Sequence, residues 1–124
     1  MNLVDSSGWL EYFADGPNAD FFAAAVEDLD DLVVPTISIY EVFKVVLKQQ
    51  GESKAIRAIG VMQQGGVIEL DVELALNAAK VSLENDLPMA DSVILATARK
   101  LDAALWTQDS DFEGLDDVHY VARG

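Results

Sequence analysis

The chain has 124 residues, no cysteine and a formal net charge of −14, from eight Lys and Arg against 22 Asp and Glu, with 51% hydrophobic residues. That length sets a single domain, residues 1–124, with enough apolar content for a core. It has no thiol for disulfides or thiolate metal sites, and its charge argues against a basic nucleic-acid-binding surface. No apolar run reaches membrane-span length and no secretory signal opens the chain, so the expected setting is the cytoplasm.

Leu3 and Val4 read as a short buried strand running into Asp5, and Ser6 or Ser7 as the N-cap of a helix with Trp9, Leu10, Tyr12 and Phe13. Asp15 to Asn18 is a turn, and a second helix carries Phe21, Phe22, Ala25, Val26 and Leu29. Leu32-Val33-Val34 ahead of Pro35 is a buried strand. Thr36 or Ser38 then caps a helix whose Ile39, Val42, Phe43, Val46 and Leu47 form one stripe. Gly51 breaks it, and another helix runs through Ile56, Ile59 and Met62. Val67 to Leu70 is a third strand, followed by a helix with Leu76, Ala79 and Leu83 on one side. Pro88 opens a helix striped by Ile94, Leu95, Ala98 and Leu101. Ala104 to Thr107 is a fourth strand and Val118 to Val121 a fifth, joined by an acidic segment from Asp109 to Leu115. Strands that alternate with helices predict a parallel sheet covered on both faces.

Chain direction places the acids. The first strand ends at Asp5 and the fourth just before Asp109, both at the carboxyl edge. Glu41 lies early in the helix that leaves the second strand. Asp91 opens the helix that leads into the fourth strand, so it begins at the same edge. Each acid alone reads as a cap, a turn residue or, for Glu41 with Lys44 and Lys48, half of an ion pair. Together they converge, with Asp111 close by, where open α/β sheets bind ligands. Two carboxylates about 5 Å apart repel by roughly 3 kcal/mol at an effective dielectric near 20. A divalent cation or shared protons must offset that. The donors are oxygens only, which suits Mg²⁺ or Mn²⁺ and not zinc. The only histidine is His119, so a two-histidine mechanism is unavailable within one chain.

Four segments carry a resemblance: Val4-Asp5-Ser6-Ser7, Ser38-Ile39-Tyr40-Glu41-Val42, Ala90-Asp91-Ser92 through Ala98, and Thr107-Gln108-Asp109-Ser110-Asp111-Phe112. In their order and context they resemble the PIN (PilT N-terminal) domain, and within it the toxin nucleases of the VapBC type, over essentially the whole chain. The resemblance implies a three-layer α/β/α sandwich around a five-stranded parallel sheet of order 3-2-1-4-5. It also implies a Mg²⁺- or Mn²⁺-dependent endoribonuclease. Asp5, Glu41, Asp91 and Asp109 match the family's acidic positions, with Asp111 a frequent fifth. Ser6 or Ser7 and Thr107 match hydroxyl positions near the metal. Such toxins are usually homodimers, neutralised by a small antitoxin whose tail blocks the site and whose other domain binds operator DNA. DNA is thus contacted only through the antitoxin.

The expected chemistry is RNA cleavage by a metal-activated water, with Asp5, Asp91 and Asp109 as metal ligands and Glu41 beside them. Lys44, Lys48, Lys54, Arg57, Arg99 and Lys100 are the candidates for holding phosphates. Two rivals share the general architecture: a phospho-receiver signalling domain and a catalytically silent binding module. A receiver wants an acid pair after the first strand and a late lysine in the sheet. Here Asp5 stands alone, and no lysine follows the fourth strand.

Overall fold

A computed structural model describes residues 1–124. The strands are β1 (Asn2–Val4), β2 (Leu32–Pro35), β3 (Gly66–Ile68), β4 (Ala104–Thr107) and β5 (Val118–Tyr120). The helices are α1 (Ser6–Phe13), α2 (Ala19–Val26), α3 (Thr36–Gln50), α4 (Glu52–Met62), α5 (Val72–Asn85) and α6 (Met89–Leu101). All strand pairs are parallel, in the order β3-β2-β1-β4-β5. A receiver-type sheet runs 2-1-3-4-5, so the topology separates this chain from that rival.

Alternation along the strands builds the three layers. Leu3 and Val33 point to one face and pack with Leu74, Ala78 and Val81 of α5 and Val93 to Ala98 of α6. Val4, Leu32 and Val34 point to the other and pack with Trp9, Phe22, Val42, Val46, Ala55, Ala58 and Met62 from α1 to α4. The central strands β1 and β2 are covered on both faces, and Leu3-Val4 and Leu32-Val33-Val34 read as continuous apolar runs, as buried parallel strands do. Trp9 and Phe22 are fully buried, and the Trp9, Tyr12 and Phe13 rings stack or meet edge on.

Four local expectations are corrected. Neither Ser6 nor Ser7 caps α1; Asp5 does, its Oδ1 accepting from the Gly8 amide at 2.9 Å. Pro35 precedes α3 with no side-chain cap, and Ser38 is buried instead, its hydroxyl unpartnered. In α5 the core face is Leu74, Ala78 and Val81, while Leu76 and Leu83 are 62% and 88% exposed. Likewise α4 turns Ala55, Ala58 and Met62 inward and leaves Ile56 in solvent. Both inward faces carry alanine, Ala78 in α5 and Ala55 and Ala58 in α4, beside larger side chains, and fit to the neighbouring elements outweighs hydrophobicity along the stripe.

The chain turns from β3-β2-β1 to β4-β5 between β1 and β4, whose carboxyl ends therefore flank a crevice. Asp5 and Asp109 lie at that crevice, and the Asp5 amide donates to the Trp106 carbonyl across it at 3.1 Å.

Candidate metal centre

Asp5 leaves the core strand β1 with no room to swing. It is 2% exposed. Its Oδ1 accepts from the Ser7 hydroxyl at 2.7 Å and from the Gly8 amide, and its Oδ2 accepts from the Thr107 hydroxyl at 2.6 Å. Gly8 is required for this approach, because a Cβ there would lie 2.6 Å from both Val4 and Phe22. The capping bond that starts α1 and the fixing of the acid are thus one interaction. Thr107 serves two acids, since its oxygen also accepts the Asp109 amide at 2.9 Å. Asp109 in turn caps the short turn Ser110–Phe112, accepting from the Asp111 amide at 2.9 Å. Glu41, in the second turn of α3, accepts from the Ser6 hydroxyl at 2.6 Å. Lys44 does not pair with it, lying instead over the Tyr40 ring, 5.8 Å from its centre.

The tightest group of acids is Asp91, Asp109 and Asp111, which offer carboxylate oxygens all within 4.8 Å of one another. Sequence reasoning put Asp111 second to Asp5; the structure brings Asp111 into the cluster, and Asp5 is not one of the three. Asp5, Glu41, Asp91 and Asp109 line one cavity of about 420 Å³, with Ser6, Ser7 and Gln108. Burial pushes the Asp5 carboxyl up to about 6, outweighing its three hydrogen bonds, and the charge of Asp109 adds to the rise. Asp91 is pushed up to about 7, first by burial and then by Asp109, Asp111, Asp5 and Glu41. The sole ion pair in the chain joins Lys100 to Asp71 at 3.9 Å, so no Lys or Arg is paired with an acid of the cluster. An all-oxygen donor set with uncompensated negative charge fits a hard divalent cation.

The PIN domain family profile matches residues 3–118. The chain belongs to the PIN domain family. This PIN domain is similar in structure to a toxin–antitoxin complex from Klebsiella pneumoniae, at 22% identity and TM-score 0.77, covering 96% of each chain. It is also similar to Mycobacterium tuberculosis VapC20, a sarcin-ricin loop cleaving toxin, at 18% identity and TM-score 0.78, covering 96% of this chain and 99% of that one. DNA-bound VapBC from Salmonella typhimurium aligns at 12% identity and TM-score 0.74, covering 98% of both. No curated protein matches the sequence.

The basic candidates of this PIN domain lie mostly elsewhere. Arg99 is eight residues beyond Asp91 on α6, about 12 Å along the axis, in a cleft with Asp102, Asp116 and Asp117. Lys44 and Lys48 are exposed on α3 and do not line the cavity. Lys54 and Arg57 line an adjoining groove that shares Phe13, Val46 and Gln50 with it. Arg123 does line the acidic cavity and was not among the sequence candidates. Asn18 and Gln108 were missed as well. The Asn18 amide donates to Gln108 Oε1 at 3.0 Å and to the Ala122 carbonyl at 2.9 Å, tying the segment after β5 to the site. Gln108 lies within the Thr107–Phe112 segment, but nothing local marks Asn18 or Arg123, because the contacts that tie this region together span about a hundred residues.

Proposed function

We propose that this PIN domain, occupying the whole chain, is a cytoplasmic divalent-metal-dependent endoribonuclease acting as the toxin of a toxin–antitoxin pair. The observation that carries the reading is the carboxylate group at the β1–β4 crevice, raised in pKa and without a cation. Asp91, Asp109 and Asp111 would hold the ion, with Asp5 as a further ligand, and Mg²⁺ or Mn²⁺ suits these oxygens. When bound, the ion supplies a Lewis acid for the phosphate and a more acidic water. Three donors keep Asp5 from turning, and Thr107 sets the spacing between Asp5 and Asp109. Glu41, held by Ser6 and outside the trio, would take the attacking water's proton.

Water rather than the RNA's own 2′-hydroxyl is the nucleophile. His119 stacks on Trp106, with ring centres 4.8 Å apart, in the edge strand β5. Two strand spacings, about 10 Å, separate it from β1. Incubation of end-labelled RNA with Mn²⁺, then with chelator, tests the reading. Products with 5′-phosphate and 3′-hydroxyl ends that vanish on chelation are expected, and cyclic phosphate ends would refute the water mechanism.

The antitoxin is a small partner whose blocking segment places a basic side chain among the acids. A homodimer is supported by the second apolar face of α5, where Val72, Leu76, Ala79 and Leu83 form an uncharged solvent stripe. An antiparallel two-fold contact sets Val72 against Leu83 and Leu76 against Ala79 of the other copy, large against small or medium. Leu76→Glu with Leu83→Glu should halve the mass seen by light scattering, and an unchanged mass would rule this face out. No helix is long and apolar enough to cross a membrane.

A further inference from the structure

Arg123 is the only basic residue lining the acidic cavity. The other seven Lys and Arg lie on α3, α4, α5 or α6, outside it. Surrounded by carboxylates, a guanidinium would ordinarily fold onto one of them. This one does not, since the single ion pair within 4.0 Å in the chain is Lys100 with Asp71. Its backbone is held on both sides, which keeps it at the cavity mouth. The Val121 amide donates to the Thr107 carbonyl at 3.0 Å, and the Ala122 carbonyl accepts from Asn18 at 2.9 Å. Gly124 packs on Pro17 so closely that a Cβ would come within 2.7 Å of the ring. Asn18 is itself fixed, its amide N–H donating to Glu11 Oε2 at 2.8 Å and its side chain donating to the buried Gln108.

We propose that Arg123 is the substrate-positioning cation of this site, gripping a backbone phosphate of the RNA strand at the cavity mouth, with Asn18 and Gln108 holding it in place. The inference rests on the ribonuclease reading above. An anchored backbone with an unpaired guanidinium leaves the planar fork open to two phosphate oxygens. In a chain of net charge −14, one cation inside the cavity also reconciles an acidic surface with a polyanionic substrate. Within the cavity the acids repel the strand, and Arg123 is the one side chain there that attracts it.

The test measures cleavage of a short labelled RNA by wild type, Arg123→Gln, Arg123→Lys, Asn18→Ala and, as a matched loss of charge, Arg99→Gln, all with Mn²⁺. Arg123→Gln should raise KM about tenfold or more, as loss of a charge-assisted contact does, and leave kcat within a few-fold. Its melting-temperature response to Mn²⁺ should match wild type. The log–log salt slope of RNA binding should become shallower by about 0.7. Arg123→Lys should recover part of the loss, Asn18→Ala should reproduce a fraction of it, and Arg99→Gln should resemble wild type. If wild type cleaves and Arg123→Gln equals it in KM and salt slope, this assignment is wrong and the ribonuclease reading stands. If Arg123→Gln changes the response to Mn²⁺ with KM intact, Arg123 is a counter-charge to the acids and the proposal falls. If wild type neither binds nor cleaves RNA with Mn²⁺, both readings fall.

Discussion

The two edges of the sheet are both acidic, and they differ in what holds the charge. At the amino edge Asp102, Asp116 and Asp117 share a cleft with Arg99. Asp102 and Asp117 adopt left-handed backbone at φ 53° and 58°, where a short polar side chain is tolerated, and Asp102 closes α6. All three are in solvent. At the carboxyl edge Asp5 is buried and Asp91 half-buried, each close to other acids and neither in an ion pair. Negative charge alone therefore marks neither edge. Burial without a counter-ion, enforced by hydroxyl and amide donors, separates a candidate centre from turn chemistry.

The largest contrast should appear in cleavage. Asp5→Asn or Asp109→Asn should lower Mn²⁺-dependent RNA cleavage by more than about 100-fold, beyond what loss of an outer-shell contact costs. Asp102→Asn and Asp117→Asn, which keep a side chain suited to left-handed backbone, should stay within about twofold. Equal losses at both edges in a cleavage assay would erase the distinction.

Thr107→Val should come next, at about 10- to 100-fold, because its hydroxyl orients Asp5 and receives the Asp109 amide. It should also move the pH–rate profile. The Thr107 hydroxyl holds the Asp5 carboxyl down against burial, so its removal should shift the rising limb to higher pH. A slower enzyme with an unmoved profile would leave Thr107 a packing residue.

A smaller effect concerns stability without metal. Asp5 and Asp91 are raised to about 6 and about 7 from 3.8, so the native state binds more protons than the unfolded chain between those values. Stability should be full below about pH 4 and decline as pH rises through about 6 to 7. For buried Asp5 the loss is on the order of 3 kcal/mol. Chelated protein followed by thermal melting from pH 4.5 to 8 checks this. Asp91→Asn should flatten the decline and raise the melting temperature at pH 8, and Asp102→Asn should change neither. Mn²⁺ at 100 times its Kd should restore about 2.7 kcal/mol to wild type at pH 8. A flat wild-type melting profile in chelator would remove the carboxyl edge's special status.

The order of strands and helices and the gathering of Asp5, Glu41, Asp91 and Asp109 on one edge were legible from the chain alone. The 2.0 and 3.6 residue periods separate strands from helices, and parallel topology sends every strand's end to one side. Thr107 and Ser6 were legible through the resemblance. Which face of α5 is buried was not. That helix carries two apolar stripes, and the more hydrophobic one, with Leu76 and Leu83, faces solvent because α6 fits against Leu74, Ala78 and Val81. Nor could the sequence distinguish Asp5 from Ser6 or Ser7 as the cap of α1. Each is a good capping residue, and only the burial of Asp5 between β1 and β4 settles it. Arg123 was the deepest omission. Near the chain's last residues it sits beside no motif, and it reaches the cavity through bonds from Asn18 and Thr107, 104 and 14 positions before Ala122 and Val121. Local propensity and periodicity act over a few residues, while such contacts exist only once the sheet has closed the distance.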